Sequence, residues 1–120
     1  YFVINLNNRK KDIRNLINII ENCIIQFLKK YGIKSQADTK NIGIWVQNKK
    51  IAAIGVRVSK WIAYHGCSIN INNNLNKYKK IIPCGLNNNE VTSIKDQTDK
   101  KPVNVNKNLK EIFLKNFKNI

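Results

Sequence analysis

The sequence has little of what most catalytic or binding motifs are built from. It contains no Met, two Pro, five Gly, one His and seven acidic residues, and only three of its 22 basic residues are Arg. A single His with so few carboxylates leaves no His/Asp/Glu metal cluster, and the glycines form neither a phosphate loop nor a Ser nucleophile elbow. No apolar run approaches the roughly 20 residues that span a bilayer, and Tyr1-Phe2-Val3-Ile4-Asn5 has neither an initiator Met nor the shape of a secretory signal. The chain is therefore expected to start inside a longer protein. Cys23, Cys67 and Cys84 are odd in number and lack CxxC spacing, which points to reduced thiols rather than a disulfide framework or a zinc site.

What is present is one domain's worth of chain, 120 residues with a formal charge of +15. Such a charge suggests a nucleic-acid module. However, Asn, Ile and Lys occupy 60 of the 120 positions, at 21, 20 and 19 residues, and Lys outnumbers Arg more than sixfold. Recognition of phosphates and base edges favours the bidentate Arg, so this bias reads as an AT-rich genome and much of the charge as background.

Between residues 9 and 31, Ile13, Leu16, Ile17, Ile20, Ile24, Phe27, Leu28 and Tyr31 trace one helical face. Asp12 belongs to the first turn of this helix, Lys29 and Lys30 to the last, and Gly32 is its stop. Cys23 beside the stripe is a packed thiol. From Ile42 the period becomes two. Ile42, Ile44 and Val46 alternate with Gly43, Trp45 and Gln47, and a turn at Asn48-Lys49 leads into a second strand over Lys50 to Val58. Lys50 shares parity with Ala52, Ile54, Val56 and Val58, either a strand-end lysine snorkelling to water or a cation at a pocket edge. A third strand runs from about Trp61 to Asn72, interrupted at His65-Gly66-Cys67, and is followed by a polar loop to Lys80. In Pro83-Cys84-Gly85 the proline fixes the approach and the glycine lets a carbonyl near main-chain N–H groups, conditions suited to a nucleophile. Leu109, Ile112, Phe113, Leu114 and Phe117 predict a final short helix on the sheet. These elements make an α+β, two-layer fold, a mixed sheet packed with helices, as one domain over residues 1–120.

Gly43-Ile44-Trp45-Val46, Lys50-Ile51-Ala52-Ala53-Ile54-Gly55-Val56-Arg57-Val58-Ser59, His65-Gly66, Asn70-Ile71-Asn72 with Leu75, Ile82-Pro83-Cys84-Gly85 and Val91-Thr92-Ser93, in this order, closely resemble the lipoyl(octanoyl) transferases. The resemblance reaches back to Asp12-Ile13-Arg14. It implies a biotin/lipoate-protein-ligase-like catalytic domain that moves octanoyl from acyl carrier protein to a lysine of a lipoyl domain, on 2-oxoacid dehydrogenases or the glycine cleavage H protein. It further implies that Cys84 is the nucleophile and that Lys50 lowers its pKa and takes its proton, with Ala53, Ile54, Gly55, Gly66, Cys67 and Ser68 lining the acyl pocket. His65 either orients that pocket or bonds the substrate carbonyl. Relatives carry Phe or Leu and then Ala after the His-Gly pair, where this chain has Cys67-Ser68, so chain-length preference is open and Cys67 is a competing thiol.

The family also carries an Arg-Gly-Gly and His-Gly-Pro-Gly segment just before the position matched by Tyr1. Its absence implies a domain truncated at the N-terminus, with an open sheet edge and poor activity as an isolated chain. No cofactor, metal, membrane or nucleic-acid partner is implied, and the protein is expected to be a monomer whose acidic partners its basic surface can steer. Its location is expected to be a plastid-like or other organelle in a eukaryote, or the cytoplasm of a bacterium. The rival readings are a lipoate–protein ligase, which uses ATP and no cysteine, a basic nucleic-acid-binding module, and an inactive scaffold gripping the same partners.

Overall fold

A computed structural model describes residues 1–72 and 91–118. Helix α1, Ile13–Lys29, buries Leu16, Ile20, Cys23, Ile24, Phe27 and Leu28, which is most of the expected stripe with Cys23 added to it, while Ile13 at its start is exposed and Ile17 only half-buried. Each such side chain contributes about 1.5–3 kcal/mol by leaving water. Asp12 does not sit in the first turn. It precedes it in an extended conformation, and its side chain accepts from the Asn15 N–H at 3.0 Å, satisfying a donor that the helix itself cannot. At the other end Gly32 adopts φ +76 while its N–H bonds to the Lys29 carbonyl and that of Ile33 to the Leu28 carbonyl, closing the helix on a left-handed glycine.

The strands are β1 (Phe2–Asn5), β2 (Gln36–Ala37), β3 (Ile44–Val46), β4 (Lys49–Ser59) and β5 (Ile62–Ile69). They form one sheet in the order β1-β5-β4-β3-β2 with every neighbouring pair antiparallel, and a parallel bridge between Lys50 and Val91 makes the pairing mixed. β1 has no strand partner on its outer edge among the described residues. Two short helices follow, α2 (Ile94–Gln97) and α3 (Val105–Phe117).

Two further expectations need correction. The turn between β3 and β4 is Gln47-Asn48 rather than Asn48-Lys49, because Gln47 takes φ +56 and Lys49 already pairs with Val46. The third strand is not interrupted at His65-Gly66-Cys67. It stays paired with β4 throughout, taking the irregularity in the backbone at φ +74 for His65 and +141 for Gly66. The turn between β4 and β5, Lys60-Trp61, has both residues left-handed without Gly or Asn, and Leu6 N–H to the Trp61 carbonyl (2.7 Å) and Asn7 Nδ2 to the Lys60 carbonyl (3.0 Å) hold it.

Directly opposed residues of an antiparallel pair share a face. Phe2, Ile4, Ala63, Cys67 and Ile69, with Ala52, Ile54, Val56 and Val58, belong to or pack against the core under α1 and α3. Phe2 packs on Phe113 and Phe117 of α3, with ring centroids 6.2 and 5.4 Å apart. The alternate residues Val3, Ala53, Gly55, Arg57 and Ser68 are exposed on the opposite face. Among the described residues, helices therefore cover one side of the sheet and leave the other open.

Candidate functional site

Lys50 is the second residue of β4 and stands opposite Trp45 of β3. Its ammonium lies 5.9 Å from the centroid of the Trp45 ring, within reach of a cation–π attraction. Trp45 is buried and held by its own Nε1 donating to the Asn41 carbonyl at 3.1 Å. Gly43, at φ +148, makes the floor: a Cβ there would meet Lys50 Cε at 2.5 Å, Lys50 Nζ at 3.3 Å and the Ala52 carbonyl at 2.9 Å. The lysine stem thus lies across bare backbone. Lys10–Asp12 is the one ion pair among the described residues, so no described carboxylate claims the Lys50 ammonium.

The main chain of Lys50 has a second neighbour. Its carbonyl accepts from Thr92 N–H at 2.9 Å beside the Val91 bridge, and Thr92 and Ser93 are buried. Asn70 ties the same junction together, its N–H bonding to the Ile51 carbonyl, its carbonyl accepting from Ile94 N–H and its Nδ2 donating to the Thr92 carbonyl. Chain that follows Pro83-Cys84-Gly85 therefore returns onto the backbone of Lys50. Cys84, with Pro83, Gly85 and Leu75, lies outside the described residues.

The other candidate residues fall on two faces. Ala53 pairs with Ser68 and Gly55 with Gly66 in the β4–β5 ladder, and Ala53, Gly55 and Ser68 are exposed on the open side. Ile54 pairs with Cys67 on the helical side, both half-buried. Cys67 forms the wall of a cleft of about 440 Å³ with Phe2, Ile69, Val105, Leu109 and Phe113. Burial pushes its thiol pKa up, which keeps it protonated and a poor nucleophile at neutral pH. His65 is exposed, with its ring 4.8 Å from that of Tyr64 and 6.1 Å from that of Tyr1. Gly66 takes φ +141, a backbone conformation that L side chains rarely adopt, and a Cβ there would come to 3.1 Å of the Phe2 ring. Gly43, Trp45, Asn70 and Thr92 support Lys50, and the sequence reading assigned none of them a role. The available signal was their recurrence around the lysine, which periodicity cannot convert into contact.

The lipoyl protein ligase A/B catalytic domain matches residues 1–118. The chain belongs to that family. Among curated relatives, the octanoyltransferase of Rickettsia rickettsii (strain Sheila Smith) is 48% identical over 101 residues, covering 78% of this chain and 48% of that protein. The octanoyltransferase of Bartonella henselae is 42% identical over 109 residues, covering 80% and 44%. The chain thus spans about half the length of the curated relatives it matches. Among solved structures, a biotin protein ligase from Aquifex aeolicus aligns with a TM-score of 0.74 at 20% identity, covering 98% of this chain and 51% of that one. At that identity the likeness concerns the fold, and it is the ligase-type catalytic fold that the sequence resemblance implied.

Proposed function

We propose that this lipoyl protein ligase A/B family chain carries the catalytic dyad of an octanoyltransferase, which moves octanoyl from acyl carrier protein to a lysine of a lipoyl domain through Cys84. The observation that carries this reading is the seat of Lys50. Its ammonium is ordered over Trp45 and Gly43 without a carboxylate partner among the described residues, on the backbone that receives Val91 and Thr92. A cation so placed stabilises a thiolate, and Cys84 lies seven positions before Val91.

In the first step the Cys84 thiolate attacks the carbonyl of the donor thioester, the C–S bond to the carrier breaks, and the carrier thiolate takes its proton from the Lys50 ammonium, which leaves Lys50 a neutral amine able to accept a proton in the next step. One thioester replaces another, so the exchange is close to isoenergetic. In the second step the acceptor lysine amine attacks the Cys84 thioester, loses its proton to Lys50 and expels the Cys84 thiolate, leaving an amide. The open-side positions Ala53, Gly55 and Ser68, with Gly66 opposite Gly55, border the acyl chain, and small side chains leave it room. Ile54 and Cys67 back the sheet from the helical side.

The test is mass spectrometry of the full-length enzyme with octanoyl carrier protein. A single octanoyl adduct on Cys84 is expected, absent from Cys84→Ser, and Lys50→Ala should slow transfer about 10²- to 10⁴-fold. An adduct that survives Cys84→Ser, one that maps to Cys67, or acceptor modification only from free octanoate with ATP would overturn the reading.

A further inference from the structure

Resting on the transfer reading, the donor brings a chemical feature that Lys50 cannot serve: its thioester sits at the end of a long uncharged arm whose far end is a phosphodiester. While the carbonyl is held at Lys50, that anion must lie against the protein at arm's length. A path of backbone hydrogen bonds leads outward from Lys50: Thr92 N–H to the Lys50 carbonyl (2.9 Å), Ile94 N–H to the Asn70 carbonyl (3.0 Å) and Lys95 N–H to the Ile71 carbonyl (2.8 Å). It ends at a depression of about 520 Å³ lined by Asn72, Lys95, Thr98, Lys100 and Lys101, with Asp99 among them. Thr98 N–H to the Ile94 carbonyl (3.0 Å) and Lys100 N–H to Thr98 Oγ1 (3.2 Å) fix its wall.

All three lysines are exposed, and no described carboxylate lies within ion-pair distance of any of them. Lys100 has a second task, since its ammonium stands 3.8 Å from the place a Cβ on Gly32 would take and so complements the C-terminal end of α1. Lys95 and Lys101 have no such role at the helix end. Of the other depressions, the cleft beside Cys67 is apolar with Lys110 as its one basic residue, a second sets Arg14 against Glu21 and Asp38, and a third holds Lys29 and Lys34 without a carboxylate but opens at the C-terminal end of α1, whose dipole disfavours an anion.

We propose that the Lys95/Lys100/Lys101 depression binds the phosphodiester of the donor's phosphopantetheine arm, placing the donor relative to Lys50. The contacts would be charge-assisted hydrogen bonds from ammonium groups to phosphate oxygens. Asp99 opposes them and makes the site a moderate one, suited to a donor that must leave after each turnover.

The test uses full-length enzyme and two soluble donors, octanoyl-phosphopantetheine and octanoyl-pantetheine, which lacks the phosphate. The double variant Lys95→Gln/Lys101→Gln is expected to raise KM for the phosphorylated donor about tenfold, toward that of the phosphate-free one. The KM for octanoyl-pantetheine and kcat for both should hold, which also shows the variant to be folded. Asp99→Asn should lower KM for the phosphorylated donor alone, by about two- to threefold. Equal effects on both donors, or none on either, would overturn the proposal. An effect confined to intact carrier protein would also overturn it, because the lysines would then be meeting the carrier's acidic surface. Wild-type enzyme that transfers octanoyl from neither soluble donor nor carrier protein would instead refute the transfer reading itself.

Discussion

Cys67 and Ser68 are neighbours in sequence yet serve opposite layers, and the same pleat separates Ile54 from Ala53 and Gly55. Placement also sorts the thiols. Cys23 is fully buried in α1, and burial, reinforced by the neighbouring Cys67, pushes its pKa up to about 11 from an ordinary 9.0. Cys67 is pushed the same way, chiefly by burial. The sign of the consequence follows from proton counting. Between pH 9.0 and about 11 the unfolded chain has released the Cys23 proton that the folded chain still holds. The contribution is therefore fully present below pH 9.0 and is lost as pH rises through that window. Urea unfolding should show wild-type stability declining across it more steeply than that of Cys23→Ala, which starts lower because a cavity is left in the core. Parallel declines would show that Cys23 is not held protonated by the fold.

At the scale of elements, the β3–β4 hairpin is a seat for one side chain, and Gly43 is its most exacting position. Gly43→Ala forces a Cβ against Lys50 Cε and the Ala52 carbonyl at φ +148, and is expected to cost about 1–3 kcal/mol. It should also cut octanoyl transfer at least about tenfold at temperatures where circular dichroism shows the variant folded, because the lysine is displaced from Trp45. Gly55→Ala is the contrast for stability, since a Cβ there meets nothing within 4 Å, and its urea midpoint should match or slightly exceed that of wild type. If Gly43→Ala kept wild-type transfer, the seat would not be what orders Lys50. The elements that were legible from sequence have long periods. α1 and α3 announce themselves through repeated apolar steps, and the β3–β4 hairpin lies where its period placed it, although its turn moves by one residue, Ile44, Trp45 and Val46 are all buried, and the register shifts between Ile44 and Trp45. β1 has only Phe2 and Ile4 facing inward over four residues, too short a pattern to read. Lys60-Trp61 carries none of the usual turn residues, since its left-handed backbone is imposed from Leu6 and Asn7, far away in sequence. The proposed Cys84–Lys50 pair comes from the resemblance: Cys84 in its Pro-Gly setting suggested chemistry, whereas the strand parity of Lys50 alone favoured a strand-end lysine snorkelling to water.

For the whole molecule, the decisive quantity is charge without compensation. Net charge is +15, and Lys10–Asp12 is the one ion pair among the described residues, exposed and therefore of little energetic weight. The described body measures 41 × 31 × 20 Å, several Debye lengths along its longest axis at physiological salt, so a distant partner feels the field of the facing surface rather than the summed charge. A nucleic-acid partner would use that field with clustered Arg, yet Arg9 sits by Asn5 while Arg14 lines a depression with Glu21 and Asp38. Acidic protein substrates need only the field. Transfer from octanoyl carrier protein should therefore lose about tenfold or more in kcat/KM between 50 mM and 500 mM salt, mainly through slower association. Transfer from uncharged octanoyl-pantetheine should change less than about twofold over the same range, because no long-range attraction brings that donor in. Stopped-flow or steady-state rates on full-length enzyme decide between the two behaviours, and equal salt sensitivity for both donors would mean that the basic surface plays no part in substrate encounter.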